Sequence, residues 1–160
     1  MNLGISAEKD VGNFLQQTIS PLGYRILNSL NSNNHDIDHV IVGPSGVYCI
    51  ETKNLQWMKG KVVSFDGNKI YVNGKVLPKK DPIKQAKDCA MEIHTYLRAK
   101  NIDQFVIPVV IMPGRVIDSL LTTNSIVTNM NTFELYIKNS TKKLSQKQIK
   151  YFADLIAQMG

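Results

Sequence analysis

The sequence is poor in the residues that build disulfide or zinc-stapled scaffolds. It contains two cysteines and three histidines in 160 residues, and no Cys-x-x-Cys pair. Cys49 and Cys89 each fall within an apolar pattern, so we expect reduced core cysteines in a cytoplasmic protein rather than a disulfide framework. Scattered histidines without paired cysteines also argue against a structural zinc site.

Long hydrophobic runs are absent as well. No stretch of about 18 consecutive apolar residues occurs, so we expect no membrane-spanning segment. Residues 1–8 lack a basic stretch followed by an apolar one, which predicts that there is no secretory signal. The length and the 43% apolar content favour one domain over residues 1–160, with a full core.

Positive charge is in excess, and it is unevenly distributed. The net charge is +6; residues 1–52 carry two Lys/Arg and five Asp/Glu, whereas residues 53–100 carry eleven Lys/Arg and four Asp/Glu. An acidic segment beside a basic one suits a polyanion held next to a metal ion. An ordinary solvated lysine surface explains the basicity equally well.

The hydrophobic periodicity predicts a mixed α/β fold. The expected elements, in chain order, are a helix at 6–20, strands at 24–28, 36–42 and 47–53, a hairpin over 61–72, a short strand at 75–77, a helix from 82, strands at 105–112 and 125–128, and helices at 131–138 and after 145. Ser6, Asp81 and Ser145 are the expected N-caps. The order indicates one α/β layer sandwich, with an antiparallel front half and crossovers behind.

The hairpin around the turn at 43–46 carries the main functional signal. Its expected register places Asp38 opposite Glu51 and Asp36 opposite Lys53. Alternation along the strands would put these charges on the face of four apolar residues, Val40, Val42, Val47 and Cys49. Two carboxylates about 5 Å apart across a ladder repel, so a fold keeps them more readily around a cation. The alternative is an interstrand charge network on a solvated sheet face.

The residue types at this hairpin suit phosphodiester chemistry. Mg²⁺ and similar hard cations bind oxygen ligands, commonly one or two carboxylates together with substrate phosphate. Asp38 and Glu51 would supply the carboxylates, and the carbonyl of Thr52 a third oxygen. The ammonium of Lys53 could position the attacking water and stabilise developing negative charge, with Asp36 as a neighbour that restrains it.

The segments 37–43 and 46–54, together with Pro82 and Gln85, resemble the nuclease-related domain (NERD) family. That family is placed in the PD-(D/E)XK nuclease superfamily, beside archaeal Holliday-junction resolvases and many restriction enzymes. The resemblance covers Gly4 to at least Met112. It implies a restriction-endonuclease-like mixed β-sheet flanked by helices, with an αβββαβ-type core.

The resemblance also implies site roles. Asp38 and Glu51 would be metal ligands, Lys53 the catalytic lysine, Gln85 a polar residue from the helix behind the sheet, and Glu8 the acid of the first helix. The helical pattern alone instead favours Glu8 as a first-turn partner of the helix dipole. Two departures stand out: Ala7 where the family often has glycine, and five residues, 55–59, between Asn54 and Gly60.

These features predict a Mg²⁺- or Mn²⁺-dependent nuclease that acts on DNA, with RNA left open as a substrate. Four lysines of the basic segment would hold the backbone electrostatically: Lys59, Lys61, Lys84 and Lys87. The first alternative is a catalytically weak or inactive DNA-binding or regulatory module with the same fold. The second is an intracellular interaction domain with a structural acidic hairpin. Cutting both strands of a duplex would call for a homodimer.

Overall fold

The arrangement of helices and strands comes from a computed structural model, which describes residues 3–32, 35–54, 62–77, 81–115, 117–119 and 124–159. The helices are α1 (Leu3–Phe14), which continues as a π-helical turn (Leu15–Ile19) and a 3-10 turn (Ser20–Leu22), α2 (Pro82–Arg98), α3 (Met130–Lys138) and α4 (Gln146–Ala157). The strands are β1 (Arg25–Asn31), β2 (Asp36–Gly43), β3 (Gly46–Thr52), β4 (Val63–Phe65), β5 (Ile70–Val72), β6 (Lys75–Val76), β7 (Val106–Ile111), β8 (Ile117–Ser119) and β9 (Ile126–Thr128).

Five of these strands form the central sheet, in the order β1-β2-β3-β7-β9. The first three pair antiparallel, whereas β3, β7 and β9 run parallel. Parallel neighbours need a crossover connection, and α2 lies between β3 and β7 in the chain. The predicted mixed sheet with helices around an αβββαβ core is therefore confirmed, with β4, β5 and β6 inserted before α2.

Helices cover both faces of the central sheet, because successive β3 residues point to opposite sides. Cys49 packs in a core with Ile93 of α2 and with α4, whereas Ile50 packs in a core with Val11 of α1 and with α3. Each fully buried aliphatic side chain contributes roughly 1.5–3 kcal/mol through removal from water. The two cores hold the sheet, and therefore its strand ends, in a fixed position.

The smaller sheet has the order β6-β5-β4-β8. Its β4–β5 hairpin matches the second predicted hairpin, and Val63 and Phe65 pack with Ile83 of α2 in a third core. Residues 55–60, which precede this hairpin, lie outside the described residues, as does its predicted start at residue 61.

Two of the three predicted helix caps are present. The Asp81 side chain accepts the Ile83 N–H at 3.0 Å, and Ser145 forms a reciprocal capping box with Gln148. Ser6 is not an N-cap, because α1 begins at Leu3 and Ser6 lies inside the helix.

Two predicted strands differ from the structure in detail. The first runs to Asn31 instead of residue 28. The second, predicted at 105–112, is β7 over Val106–Ile111, and it contains Pro108 inside the sheet. Proline lacks an N–H, but β7 pairs with β9 only from Val109 onward, so at Pro108 one side of the strand requires no donor.

Candidate active site

The predicted charged residues approach one another at the carboxyl end of β3. There Glu51 pairs with Val110 of β7 and Thr52 with Ile111. The Lys53 N–H donates to the carbonyl oxygen of Ile111 at 3.0 Å, which fixes the path of the chain as it leaves the strand. Glu51 and Lys53 are both partly buried.

The register of the β2–β3 hairpin is as predicted, but its ladder is shorter. The ladder pairs run from Gly43–Gly46 to His39–Ile50. Beyond them, Asp38 Oδ2 accepts the backbone N–H of Thr52 at 2.9 Å. The prediction that Asp38–Glu51 and Asp36–Lys53 are ladder pairs is therefore wrong. Facing carboxylates repel each other. In addition, the Thr52 N–H donates to the Asp38 side chain, so it is not available to a carbonyl of the opposite strand.

The β1–β2 ladder is interrupted at this same place. It skips Ser29 and Asp38, and Ser29 has a positive φ of 53°. Past the interruption, Ile37 packs in the same core as Val40, although regular alternation would put them on opposite faces. The prediction that Asp36 and Asp38 continue the face of Val40 by unbroken alternation is therefore wrong, because the strand changes orientation at Asp38.

Burial and repulsion act together on Glu51. Its pKa rises to about 8, first because the group is desolvated and then because Asp38 and Glu8 repel its charge, with Lys53 opposing the rise. Four charged groups from α1, β2 and the end of β3 are therefore within electrostatic reach of one another. At neutral pH a Glu51 carboxyl without a cation is largely protonated.

The pKa of Asp38 is raised as well. Its pKa rises to about 6 because burial outweighs the hydrogen bond from the Thr52 N–H, and Glu8 and Asp36 add further repulsion. Acids with raised pKa values that lie near one another are typical of functional sites.

Glu8 reaches this cluster from the first helix. Ser29 Oγ donates to Glu8 Oε1 at 3.5 Å, and the backbone carbonyl of Glu8 accepts from His39 Nε2 at 3.2 Å. The sequence left two roles open for Glu8, a partner of the helix dipole or a member of the site. Its position near Asp38 and Glu51 favours the second.

His39 was not assigned a site role from sequence, yet it links the first helix to β2. It is 2% exposed, and burial lowers its pKa to about 4, so the ring is neutral. A neutral ring has one N–H, and the Glu8 carbonyl can only accept, so Nε2 carries the hydrogen. The Asn28 atom placed 2.8 Å from Nδ1 is Oδ1, which can only accept, so we assign the Asn28 amide with its oxygen and nitrogen exchanged, and its NH2 group then donates to Nδ1.

Gly12 lets His39 pack closely against the first helix. A Cβ at Gly12 would lie 3.3 Å from His39 Cε1. Two sequence features could have pointed to this contact. Gly12 is a glycine inside an amphipathic helix, and His39 is a histidine beside an acid in a buried strand.

The oxygen donors at the cluster fit a hard divalent cation. Within the described ranges, no three or more His, Cys, Asp or Glu side chains are grouped so as to hold a metal ion. Mg²⁺, however, commonly takes only one or two carboxylates and completes its shell with water and phosphate. The Asp38–Glu51 pair meets that requirement. Beside it, Thr52 Oγ1 is a buried hydroxyl for which the described contacts give no partner.

The remaining predicted site residues lie on α2 or outside the described chain. Gln85 is exposed in the first turn of α2. Lys84 is also exposed and pairs with Asp88 at 2.7 Å, while Lys87 is exposed one turn further on. Lys59 and Lys61, the other two predicted backbone contacts, lie outside the described residues.

A family model decides the relationship of this chain to known proteins. The model of the nuclease-related domain matches residues 3–113, well over half of the chain and all of the residues from α1 through β7. The chain belongs to the nuclease-related domain family. The match includes Glu8, Asp38, Glu51, Lys53 and Gln85, and it ends before β8, α3 and α4.

Other comparisons add no relatives. No curated protein and no solved structure matches the chain significantly. Among the described residues, none of the helices is long and apolar enough to cross a membrane.

Proposed function

We propose that this nuclease-related domain is a Mg²⁺- or Mn²⁺-dependent nuclease that hydrolyses phosphodiester bonds in DNA. One observation carries the proposal: the partly buried acids Asp38 and Glu51 both have raised pKa values at the end of β3, where Asp38 and Glu8 repel the charge of Glu51 and Lys53 attracts it. A purely structural role gives no reason to keep such a repulsive group in a partly buried place.

In this proposal Asp38 and Glu51 hold the cation, and the Thr52 carbonyl is a third oxygen. A bound Mg²⁺ or Mn²⁺ would supply Lewis-acid activation of the phosphodiester and of the attacking water. Glu51 would hold the cation as a carboxylate and would therefore give up the proton that its pKa of about 8 lets it keep in the cation-free protein. Asp38 is kept in place by the Thr52 N–H.

Lys53 acts on the substrate side. Its ammonium donates hydrogen bonds to the attacking water or to a phosphate oxygen and offsets the negative charge that develops during attack. The backbone bond from Lys53 to Ile111 limits where the base of that side chain can lie. Such preorganisation is what makes a charged donor effective in catalysis.

DNA would be held by sequence-independent contacts. Lys59, Lys61, Lys84 and Lys87 belong to the basic segment, and phosphate contacts from lysine make binding strongly salt-dependent. Lys84 would exchange its partner Asp88 for phosphate, a small cost because both side chains are exposed.

The test is cleavage of circular single-stranded, linear duplex and branched DNA in Mn²⁺ by wild type, Glu51→Gln and Lys53→Met. We expect cleavage by wild type and a loss of roughly 100-fold or more in each variant, as for removal of a transition-state donor. The matched controls are Glu134→Gln and Lys150→Met, which alter helix ion pairs of α3 and α4.

Three results have different meanings. Controls that retain wild-type rates while both variants lose cleavage support the assignment. Cleavage that survives in both variants contradicts it. Salt-dependent DNA binding in EDTA, with no cleavage in any divalent metal, would instead identify a binding module that keeps the fold.

A further inference from the structure

We propose that the groove between α1 and the edge strand β1 binds one unpaired nucleotide next to the scissile phosphate; this rests on the proposed nuclease function. The groove has a volume of about 420 Å³, within the roughly 300–1,000 Å³ usual for small-molecule sites. A space of that size accepts a single nucleotide but not a base-paired duplex.

The groove adjoins the acidic cluster. Glu8 is part of its wall, and the same carboxylate repels the charges of Asp38 and Glu51. Ser29, also in the wall, donates to Glu8 from the point where the β1–β2 ladder is interrupted. A strand whose phosphate lies at the acids can therefore place its neighbouring nucleotide in the groove.

The lining matches the chemistry of a nucleobase edge. Asn13 and Gln16 on the helix side and Asn28 on the strand side contribute neutral amides, each able to donate and to accept. Amides of this kind pair with the donor and acceptor atoms of bases. Lys9 adds one positive charge for a backbone phosphate.

The floor of the groove is open because Gly12 has no side chain. A Cβ at that position would press on His39 at 3.3 Å and reach Asn28 at 4.0 Å. The positive φ of Ser29 is uncommon for a residue other than glycine, and such backbone strain is concentrated at functional sites.

The experiment has a binding arm that does not depend on cleavage. The side-chain amide NMR signals of the protein in EDTA are followed during titration with 2′-deoxyadenosine and thymidine 5′-monophosphates. We expect the signals of Asn13 and Gln16 to shift, and affinity to fall roughly tenfold in the double variant Asn13→Ala/Gln16→Ala, as for two hydrogen bonds lost. Gln17→Ala, an exposed neighbour outside the groove lining, is the matched control.

The cleavage arm uses single-stranded oligonucleotides with one abasic nucleotide at successive positions from the cut. In wild type, one position next to the cut should raise KM roughly tenfold, and the double variant should be insensitive to that position. Equal sensitivity in wild type and double variant, or unshifted amide signals, would overturn the groove assignment.

The two proposals fail in different ways. If wild type cleaves nothing in Mn²⁺ but the amide signals shift with monophosphates, the nucleotide site stands and the nuclease assignment falls. If cleavage occurs but neither arm involves Asn13 or Gln16, the nuclease assignment stands and the groove proposal is wrong.

Discussion

The substitution Glu51→Gln should stabilise the cation-free protein at alkaline pH. The glutamine side chain has nearly the same shape as the glutamate but carries no charge to desolvate or to be repelled by Asp38 and Glu8. The effect should therefore depend on pH, and its direction follows from the raised pKa of Glu51.

The direction in which stability changes with pH depends on whether the folded or the unfolded chain binds the proton more tightly. The pKa of Glu51 is about 8 in the folded chain against an ordinary value of 4.5, so the folded state binds the proton more tightly. The free energy of unfolding consequently falls as pH rises through that interval, and the stability is fully present only below it. At about 1.4 kcal/mol per pH unit, Glu51 should cost wild type roughly 2–4 kcal/mol between about pH 5 and about pH 8.5.

Asp38 titrates over a lower interval, from 3.8 to about 6, and is mostly ionised before Glu51. The Glu51→Gln variant should therefore lose only about 1 kcal/mol over the same pH range. Mn²⁺ added near pH 8.5 should restore stability in wild type and not in the variant, because a ligand that binds only the folded state stabilises it.

The assay is urea denaturation of wild type, Glu51→Gln and Glu134→Gln at both pH values, with and without Mn²⁺. Glu134 is a helix glutamate paired with Lys138 at 2.6 Å, and its variant should follow wild type at both pH values. A wild type equally stable at both pH values, or a Glu51→Gln variant less stable than wild type near pH 8.5, would refute the electrostatic reasoning.

Three further predictions concern stability and are checked by urea denaturation. Thr52→Val should stabilise by about 1 kcal/mol, because it removes a buried hydroxyl without a described partner, and a loss of stability would show that the hydroxyl is satisfied. Gly43→Ala should destabilise by about 2–3 kcal/mol, since its Cβ would lie 2.1 Å from the Tyr24 ring; a Tyr24→Leu background should relieve much of this cost, and an unchanged cost there would contradict the clash. Ser145→Ala should cost about 1 kcal/mol by removing the cap on the Gln148 N–H, and wild-type stability would show that the cap contributes nothing.

Much of the fold was predictable because it depends on local patterns. Periodicity located α2 and the central strand β7, the capping box located α4, and the turn at 43–46 set the hairpin register. The order of these elements, together with the likeness at Asp38 to Asn54, was enough to identify the family. The predicted limits of the first helix and the first strand were less exact. The helix was predicted to begin at residue 6 but begins at Leu3, and the strand was predicted to end at residue 28 but runs to Asn31.

Sequence alone was enough to single out Asp38, Glu51 and Lys53 as candidate site residues, because their positions around one turn can be read directly. How these side chains are arranged depends on the folded chain. The ladder ends before the two acids and Asp38 caps Thr52 instead, because repulsion and an available N–H outweigh continued pairing. The approach of Glu8 depends on packing between elements distant in the chain, and local sequence patterns carry no information about such packing.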